Sequence, residues 1–476
     1  MLTLSSPQCP GTPHAARFAL ARAAVIAPAV LVASLIGAFA PNYATAQAAA
    51  EPTASAGPLH AEGSKLFDAN GKQVTLTGVN WFGFETNAFA PHGLWTRNWK
   101  SMLDQMKASG FNTIRLPYSN QLFDPASKPA AAIDYHKNPD LKGLHGLALM
   151  DKIVDGATDR GLMVLLDQHR PDAQAQSELW YTDHLSEDKW VQDWTMLARH
   201  YRDNPLVIGA DLHNEPHGRA TWGTGDKSTD WRLAAERAGN AVLKANPNWL
   251  IVVEGIDSYN NDGYWWGGNL MGAKDHPVRL SEPNKLVYSA HDYGPGVSQQ
   301  SWFGAPNFPD NMAKIWKDHW AYLAMDGTAP VLMGEFGGRS VSPSTTEGKW
   351  QHALANFLKQ HGISYTYWSW NPNSGDTGGV LKDDWKHVQQ QKLDMLKGYQ
   401  APRLGEADDR RRKTSDSPAM PGRAEDGIYV VRPGDTLDGI ARRNHVLGGW
   451  RALQKLNQGR VTDPALIRPD QRLHLQ

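Results

Sequence analysis

Between about Leu66 and Gln400, short apolar runs alternate with segments whose apolar residues recur at helical spacing. The runs are Leu76–Phe84, Asn112–Tyr118, Leu162–His169, Val207–Glu215, Leu250–Gly255, Leu286–Tyr293, Pro330–Phe336 and Ser364–Trp370. Unbroken apolar runs separated by helices indicate parallel strands covered on both faces. Eight such units predict an α/β protein with a closed (β/α)8 TIM barrel. An open doubly wound sheet is the alternative, but no strand-Gly-x-Gly-x-x-Gly-helix unit supports it. Two helices are legible in detail. Thr96–Ser109 presents Trp99, Met102, Leu103 and Met106 on one face, and Ala-rich Trp231–Ala245 follows Asp230 as a candidate N-cap.

The pattern changes at both ends. His14, Arg17 and Arg22 precede the apolar run Ala23–Ala40 and an Ala44-Thr45-Ala46 site, the order expected of a signal peptide over 1–46. An uncleaved anchor is the alternative, and no later segment is long enough to span a bilayer. A catalytic domain is expected over 58–402. Residues 403–426 are rich in charge, Ser, Pro and Gly and read as a linker, and a second apolar pattern over 427–476 reads as a small module. The chain is therefore expected to be secreted, extracellular or retained at the cell envelope, free of the membrane after cleavage, and monomeric. Its single cysteine, Cys9, lies in the leader, so the exported form relies on its core rather than on disulfides.

A net charge of -1 gives no reason to expect nucleic acid as a partner. The 19 tryptophans are the compositional signal, since a flat apolar ring suits the face of a pyranose.

In a parallel barrel the reactive rim is built where the strands end. Those ends read Arg115-Leu-Pro117, Asp167-Gln-His169, His213-Asn214-Glu215-Pro216, His291-Asp-Tyr293, Glu335-Phe336 and Trp368-Ser-Trp370. One carboxylate after a strand is commonly a cap or surface group. Two glutamates on separate strands, ringed by Arg, His, Tyr and Trp, instead match glycosidic cleavage. There one carboxyl protonates the departing oxygen and the other meets the charge developing at the anomeric carbon. His213 and His217 flank Glu215 at zinc-motif spacing, but Pro216 breaks the helix such a motif needs. No metal or cofactor is expected.

From about Leu76 to Asp384 the chain resembles family 5 of the glycoside hydrolases, in particular its bacterial endo-β-1,4-glucanases. The motifs that carry this are Gly78-Val-Asn80-Trp81-Phe82-Gly83-Phe84-Glu85-Thr86, Asn112-Thr-Ile-Arg115-Leu-Pro117-Tyr118, Asp211-Leu-His-Asn214-Glu215-Pro216-His217, Gly334-Glu335-Phe336-Gly337 and Trp368-Ser-Trp370-Asn371-Pro372. The resemblance implies hydrolysis with retention, Glu215 as acid/base and Glu335 as nucleophile. It implies support from Arg115, His169, Asn214, His291 and Tyr293, with Asn214 on the sugar 2-hydroxyl, and sugar stacking on Trp81, Trp266 and Trp368. Glu335 is expected ionised and Glu215 protonated before reaction. Glu85 and Glu254 also end strands and are read as supporting groups.

The tail carries Tyr429-Val-Val-Arg-Pro433-Gly434-Asp435-Thr436-Leu437, then Ile440-Ala441, Trp450, Leu456-Asn457 and Ile467-Arg-Pro469, and resembles a LysM domain. Read residue by residue it is a small α+β module in which Thr436 caps a helix. The resemblance implies binding of peptidoglycan or a chitin-type glycan around Gly434, Asp435 and Thr436. The β-glucan substrate of the barrel has alternatives: mannan, xyloglucan or an aminosugar polymer reached through the tail, or no reaction at all in a cell-wall-binding protein.

Overall fold

The computed structural model describes residues 57–401 apart from 130, and in the tail 428–475 apart from 432–435, 438–439, 442–443, 445, 447–448, 462–466 and 469–470. The expected leader (1–46) and linker (403–426), with Gly434 and Asp435, lie outside these residues.

The eight apolar runs form eight parallel strands: β1 Thr77–Asn80, β2 Thr113–Ser119, β3 Met163–Arg170, β4 Val207–Asp211, β5 Leu250–Glu254, β6 Leu286–His291, β7 Val331–Glu335 and β8 Ser364–Tyr367. Each pairs with its neighbours in sequence, and the barrel closes where Tyr365, Thr366 and Tyr367 of β8 register with Thr77, Gly78 and Val79 of β1. Helices α1 Trp99–Ala108, α2 Gly146–Thr158, α3 Glu187–His200 and α4 Trp231–Ala245 follow the first four strands. After β6 the chain runs through α5 Met312–Trp316, a π-turn and α6 Tyr322–Met325, then α7 Thr346–His361 follows β7 and α8 Gln390–Lys397 follows β8. The fifth unit departs from the expected alternation. Among the described residues β5 leads to a short hairpin, Ser258–Tyr259 with Asp262–Gly263, and two 3-10 turns rather than an α-helix.

Alternation along each strand separates two cores. Val164, Leu166, Ile251, Val253, Tyr288 and Ala290 join the helices in the larger apolar cluster. Met163, Leu165, Leu250, Val252, Val287 and Leu332 fill a second cluster with Leu59 and with Leu66 and Val74 of a small N-terminal sheet. Continuing by twos along that second face, apolar side chains give way to polar ones: Leu165 to Asp167 and His169, Val252 to Glu254, Val287 to Ser289 and His291. One strand face thus supplies both an apolar plug and a charged rim.

Capping is local. Asn98 accepts from Lys100 and Ser101 N–H at the start of α1, and Ser186 and Thr345 do the same for α3 and α7. Asp230 does not cap α4 as expected. It is drawn instead to the Gly223 and Gly225 N–H groups, at 3.0 and 2.9 Å.

In the tail, β9 Ile428–Val430 pairs antiparallel with β10 Arg472–His474, and α9 Gly449–Leu456 contributes Leu453 to a core with Val431, Leu437, Ile440 and Val461. Buried Asn457 ties helix to strand, donating to the Leu453 and His474 carbonyls and accepting the His474 N–H. Among the described residues no helix is long and apolar enough to cross a membrane.

Candidate active site

Arg115 stands at the centre of the carboxylate cluster, fully buried, and lies within β2 (Thr113–Ser119) rather than at its end as expected. Its Nε donates to Asp211 (2.8 Å), Nη1 to Asn80 (3.0 Å) and Glu335 (2.6 Å), and Nη2 to Asn214 (2.9 Å) and Glu254 (3.0 Å); Asp167 lies 3.1 Å away. Burial works against its charge, but Asp167, Asp211, Glu335 and Glu254 outweigh that and hold its pKa well above the usual value. Asp167, Asp211 and Glu254 bring oxygens within 4.8 Å of one another, a geometry that could ligate a cation, and the Arg115 guanidinium already serves them.

Glu335 reaches the cleft through an irregularity. Ala290 registers with Met333, but His291 registers with Glu335, so Gly334 is skipped and the two side chains stand together. A Cβ on Gly334 would come within 2.5 Å of Ser289 Oγ, so only glycine fits the bulge. Tyr293 Oη donates to Glu335 Oε2 at 2.6 Å, opposite the Arg115 contact on Oε1.

Glu215 lies outside the strand that was expected to end with it. The β4 strand stops at Asp211, and Glu215 occupies the left-handed region with φ 53°. Its backbone N–H donates to Glu254 Oε2 at 2.7 Å, Oε1 lies 3.0 Å from His291 Nδ1, and Oε2 accepts from Gln176 at 3.1 Å. Oxygens of Glu215 and Glu335 and a nitrogen of His291 all lie within 4.8 Å of one another. Such an approach matches the closely spaced carboxyl pair of retaining chemistry, not the wider inverting arrangement.

Burial lowers the proton affinity of His291, but Glu254, Glu335 and the bonds to Glu215 and Glu254 reverse this and raise it well above the usual value. Burial likewise raises both glutamates. For Glu215 the bond from His291 overcomes burial and brings it below the ordinary value, whereas Glu335 stays raised by burial and by the like charge of Glu215, against His291 and Arg115. These directions run against the expected protonated Glu215 and ionised Glu335, and His291 Nδ1 is the ring nitrogen that faces the Glu215 carboxyl. His169, expected to order the network, is pushed down by burial to about 3 and its Nδ1 sits 2.7 Å from Asp167. Asn214 gives its oxygen to Arg115, while its buried Nδ2 meets no acceptor among the described residues.

The aromatic residues divide. Trp368 is half-buried and stacks near-parallel with His169 and Phe82 at centroid distances of 5.4 and 5.3 Å. Trp266 is 48% exposed and stacks on His217 at 3.7 Å, beside the Glu215 carbonyl that His217 Nδ1 contacts. Trp81, expected to stack on sugar, is fully buried and donates its indole N–H to the His92 carbonyl, so neither face is free. The sequence reading missed Trp95, 38% exposed in the β1–α1 loop, which packs edgewise on His92 and Trp385. It missed Gln176 as well. Both lie several residues into the loops after β1 and β3, beyond the strand ends, so strand-end reasoning had no purchase on them. His213 and His217 face Gln168 and the Glu215 carbonyl respectively, not a common point.

A closed parallel barrel presenting a paired carboxylate among Arg, His, Tyr and Trp side chains defines a glycoside hydrolase. Residues 67–374 match the family model Cellulase (glycosyl hydrolase family 5), and residues 429–476 match the LysM domain model. The chain belongs to the cellulase family, glycosyl hydrolase family 5, whose members hydrolyse with retention, and it carries a C-terminal LysM domain. It is 55% identical to an endoglucanase of Paenibacillus polymyxa over 77% of this chain and 92% of that protein. It is 47% identical to the major extracellular endoglucanase of Xanthomonas campestris pv. campestris over 70% and 69%. Among solved structures, the catalytic domain of the X. campestris enzyme aligns with a TM-score of 0.67 at 46% identity, over 71% of this chain and 98% of that one. A cellotetraose complex of an endocellulase from Pyrococcus horikoshii aligns with a TM-score of 0.69 at 42% identity, over 73% and 100%.

Proposed function

We propose that this cellulase is a secreted, endo-acting, monomeric enzyme that cleaves β-1,4-glucan by double displacement, with Glu215 as acid/base and Glu335 as nucleophile. The observation that carries the reading is the approach of the two carboxylates to within 4.8 Å, with Arg115 and Tyr293 gripping both oxygens of Glu335. A Glu335 oxygen bonds to the anomeric carbon as the glycosidic C–O bond breaks, and Glu215 delivers a proton to the departing oxygen. His291 Nδ1, 3.0 Å from Glu215 Oε1, is the neighbour placed to exchange a proton with that carboxyl. Water then attacks the glycosyl-enzyme, Glu215 takes its proton, and Glu335 is released. Asn214 Nδ2 is the donor for the sugar 2-hydroxyl. Trp368 lies under the sugar on the non-leaving side, Trp266 on the leaving side, and Trp95 takes a more distant sugar, as suits an open groove cutting within chains.

The domain plan supports a leader over 1–46, a catalytic domain over 58–402, a tether over 403–426 and a LysM domain over 427–476 that binds N-acetylglucosamine polymers and retains the enzyme at the envelope. Release of reducing ends from soluble β-glucans, β-mannan and peptidoglycan, with wild type and Glu215→Ala, tests this. Activity on β-1,4-glucans that the variant loses is the expected result; activity confined to mannan or peptidoglycan would overturn the substrate. Co-sedimentation of the full chain with peptidoglycan or chitin tests the tail.

A further inference from the structure

Glu254 ends β5 with its side chain fully buried on the inward face, and it reacts with nothing in the mechanism above. Its oxygens are nonetheless committed. Oε2 accepts the backbone N–H of Glu215 at 2.7 Å; Oε1 accepts from Arg115 Nη2 at 3.0 Å and lies 3.3 Å from His291 Nε2. Among the described residues it is the carboxylate that touches the acid/base residue through its backbone and, through Oε1, reaches Arg115 and approaches His291.

The local backbone is cut to fit this contact. Glu215 holds φ 53°, a left-handed conformation that non-glycine residues rarely adopt, and the Glu254 contact to its N–H ties the backbone there. Gly267, on the loop after β5, passes so close that a Cβ would fall 2.4 Å from Glu254 Oε2 and 3.2 Å from Glu215 Cα. Two chain segments therefore converge on one carboxylate, and that carboxylate holds the turn from which the Glu215 side chain projects.

We infer that Glu254 is a positioning residue for the acid/base step: it pins the Glu215 backbone with one oxygen and Arg115 with the other, presenting the Glu215 carboxyl to the departing glycosidic oxygen. This rests on the reading of Glu215 as acid/base. Arg115 keeps Asp211, Asn80, Asn214 and Asp167 as partners when Glu254 is lost, and Tyr293 still holds Glu335, so Glu215, tethered through its backbone to Glu254, is displaced more than Glu335. The defect should therefore appear where proton delivery matters and vanish where it does not.

The test compares Glu254→Gln with wild type and Glu215→Ala on two aryl β-cellobiosides, one whose phenol departs unaided and one whose phenol must be protonated. The Gln variant should lose roughly 10- to 100-fold in kcat for the poor leaving group, with glycosylation of the good one near wild type and KM little changed. Equal loss on both substrates, or no loss, overturns the inference. If Glu215→Ala itself shows no leaving-group dependence, the acid/base reading fails instead. Should Glu254→Gln not fold, Glu254→Asp, which retains the charge but shortens the reach, is measured on the same pair with the same criteria.

Discussion

His291 Nδ1 lies 3.0 Å from Glu215 Oε1 and 3.7 Å from Glu335 Oε2, so one imidazole faces both carboxylates of the pair. Its burial would favour the neutral ring, yet Glu254, Glu335 and Glu215 outweigh this and raise its pKa well above the usual value. On the proposed reading of Glu215 as acid/base, His291 is the group placed to exchange a proton with it across one hydrogen bond.

If Glu335 is the nucleophile, Glu335→Gly should reduce hydrolysis by on the order of 10^4-fold or more. Azide added to this variant with an activated aryl β-cellobioside should give the α-glycosyl azide, because the anion enters the space Glu335 vacates. Product stereochemistry by NMR reads the outcome, and full hydrolytic activity in the variant would refute the assignment.

Tyr293→Phe removes the 2.6 Å O–H contact to Glu335 while keeping the ring. A hydrogen bond to a charged group contributes about 1.5–3 kcal/mol, which corresponds to a fall in kcat of roughly 10- to 150-fold. Steady-state kinetics on a soluble β-glucan decides it, and an unchanged kcat would show that Arg115 alone holds the nucleophile.

Trp95→Ala should leave the turnover of a short aryl cellobioside intact and weaken longer cello-oligosaccharides several-fold in kcat/KM, since this exposed ring stands apart from the carboxylates. Trp81→Phe should instead lower the melting temperature, because Trp81 is wholly enclosed. Equal effects on short and long substrates in the Trp95 variant would count against a sugar platform there.

Glu85 is buried beside the rim, its Oε2 accepting the Gly83 N–H at 2.6 Å, and burial raises its pKa from 4.5 to about 7. A carboxyl raised on folding contributes its full stability below the unfolded value and loses it as pH climbs through the folded one. Between pH 4.5 and 7 this group should therefore cost on the order of 3 kcal/mol. Denaturant titrations across that window should show a shallower decline for Glu85→Gln than for wild type, and parallel curves would contradict it.

The barrel was legible because each parallel strand is buried on both faces and must be apolar nearly throughout, and the paired glutamates because their neighbours are contiguous in sequence. Contacts between side chains far apart in the chain were not. Glu254 and Glu215 are 39 residues apart, and nothing local marks their bond. Trp81 and Trp95 look equally suited to sugar in sequence, yet one is sealed under a loop and the other is open to solvent.

Sequence by itself determined the period-two and helical patterns, the order of eight strands, the residues available at their ends and the character of the tail. Tertiary structure alone decided that β4 stops before Glu215, that a skipped Gly334 brings Glu335 opposite His291, and that one imidazole faces both carboxylates. The reason is physical. Local patterns fix which groups are buried, whereas register, bulges and the summed field of buried charges depend on closing the whole barrel.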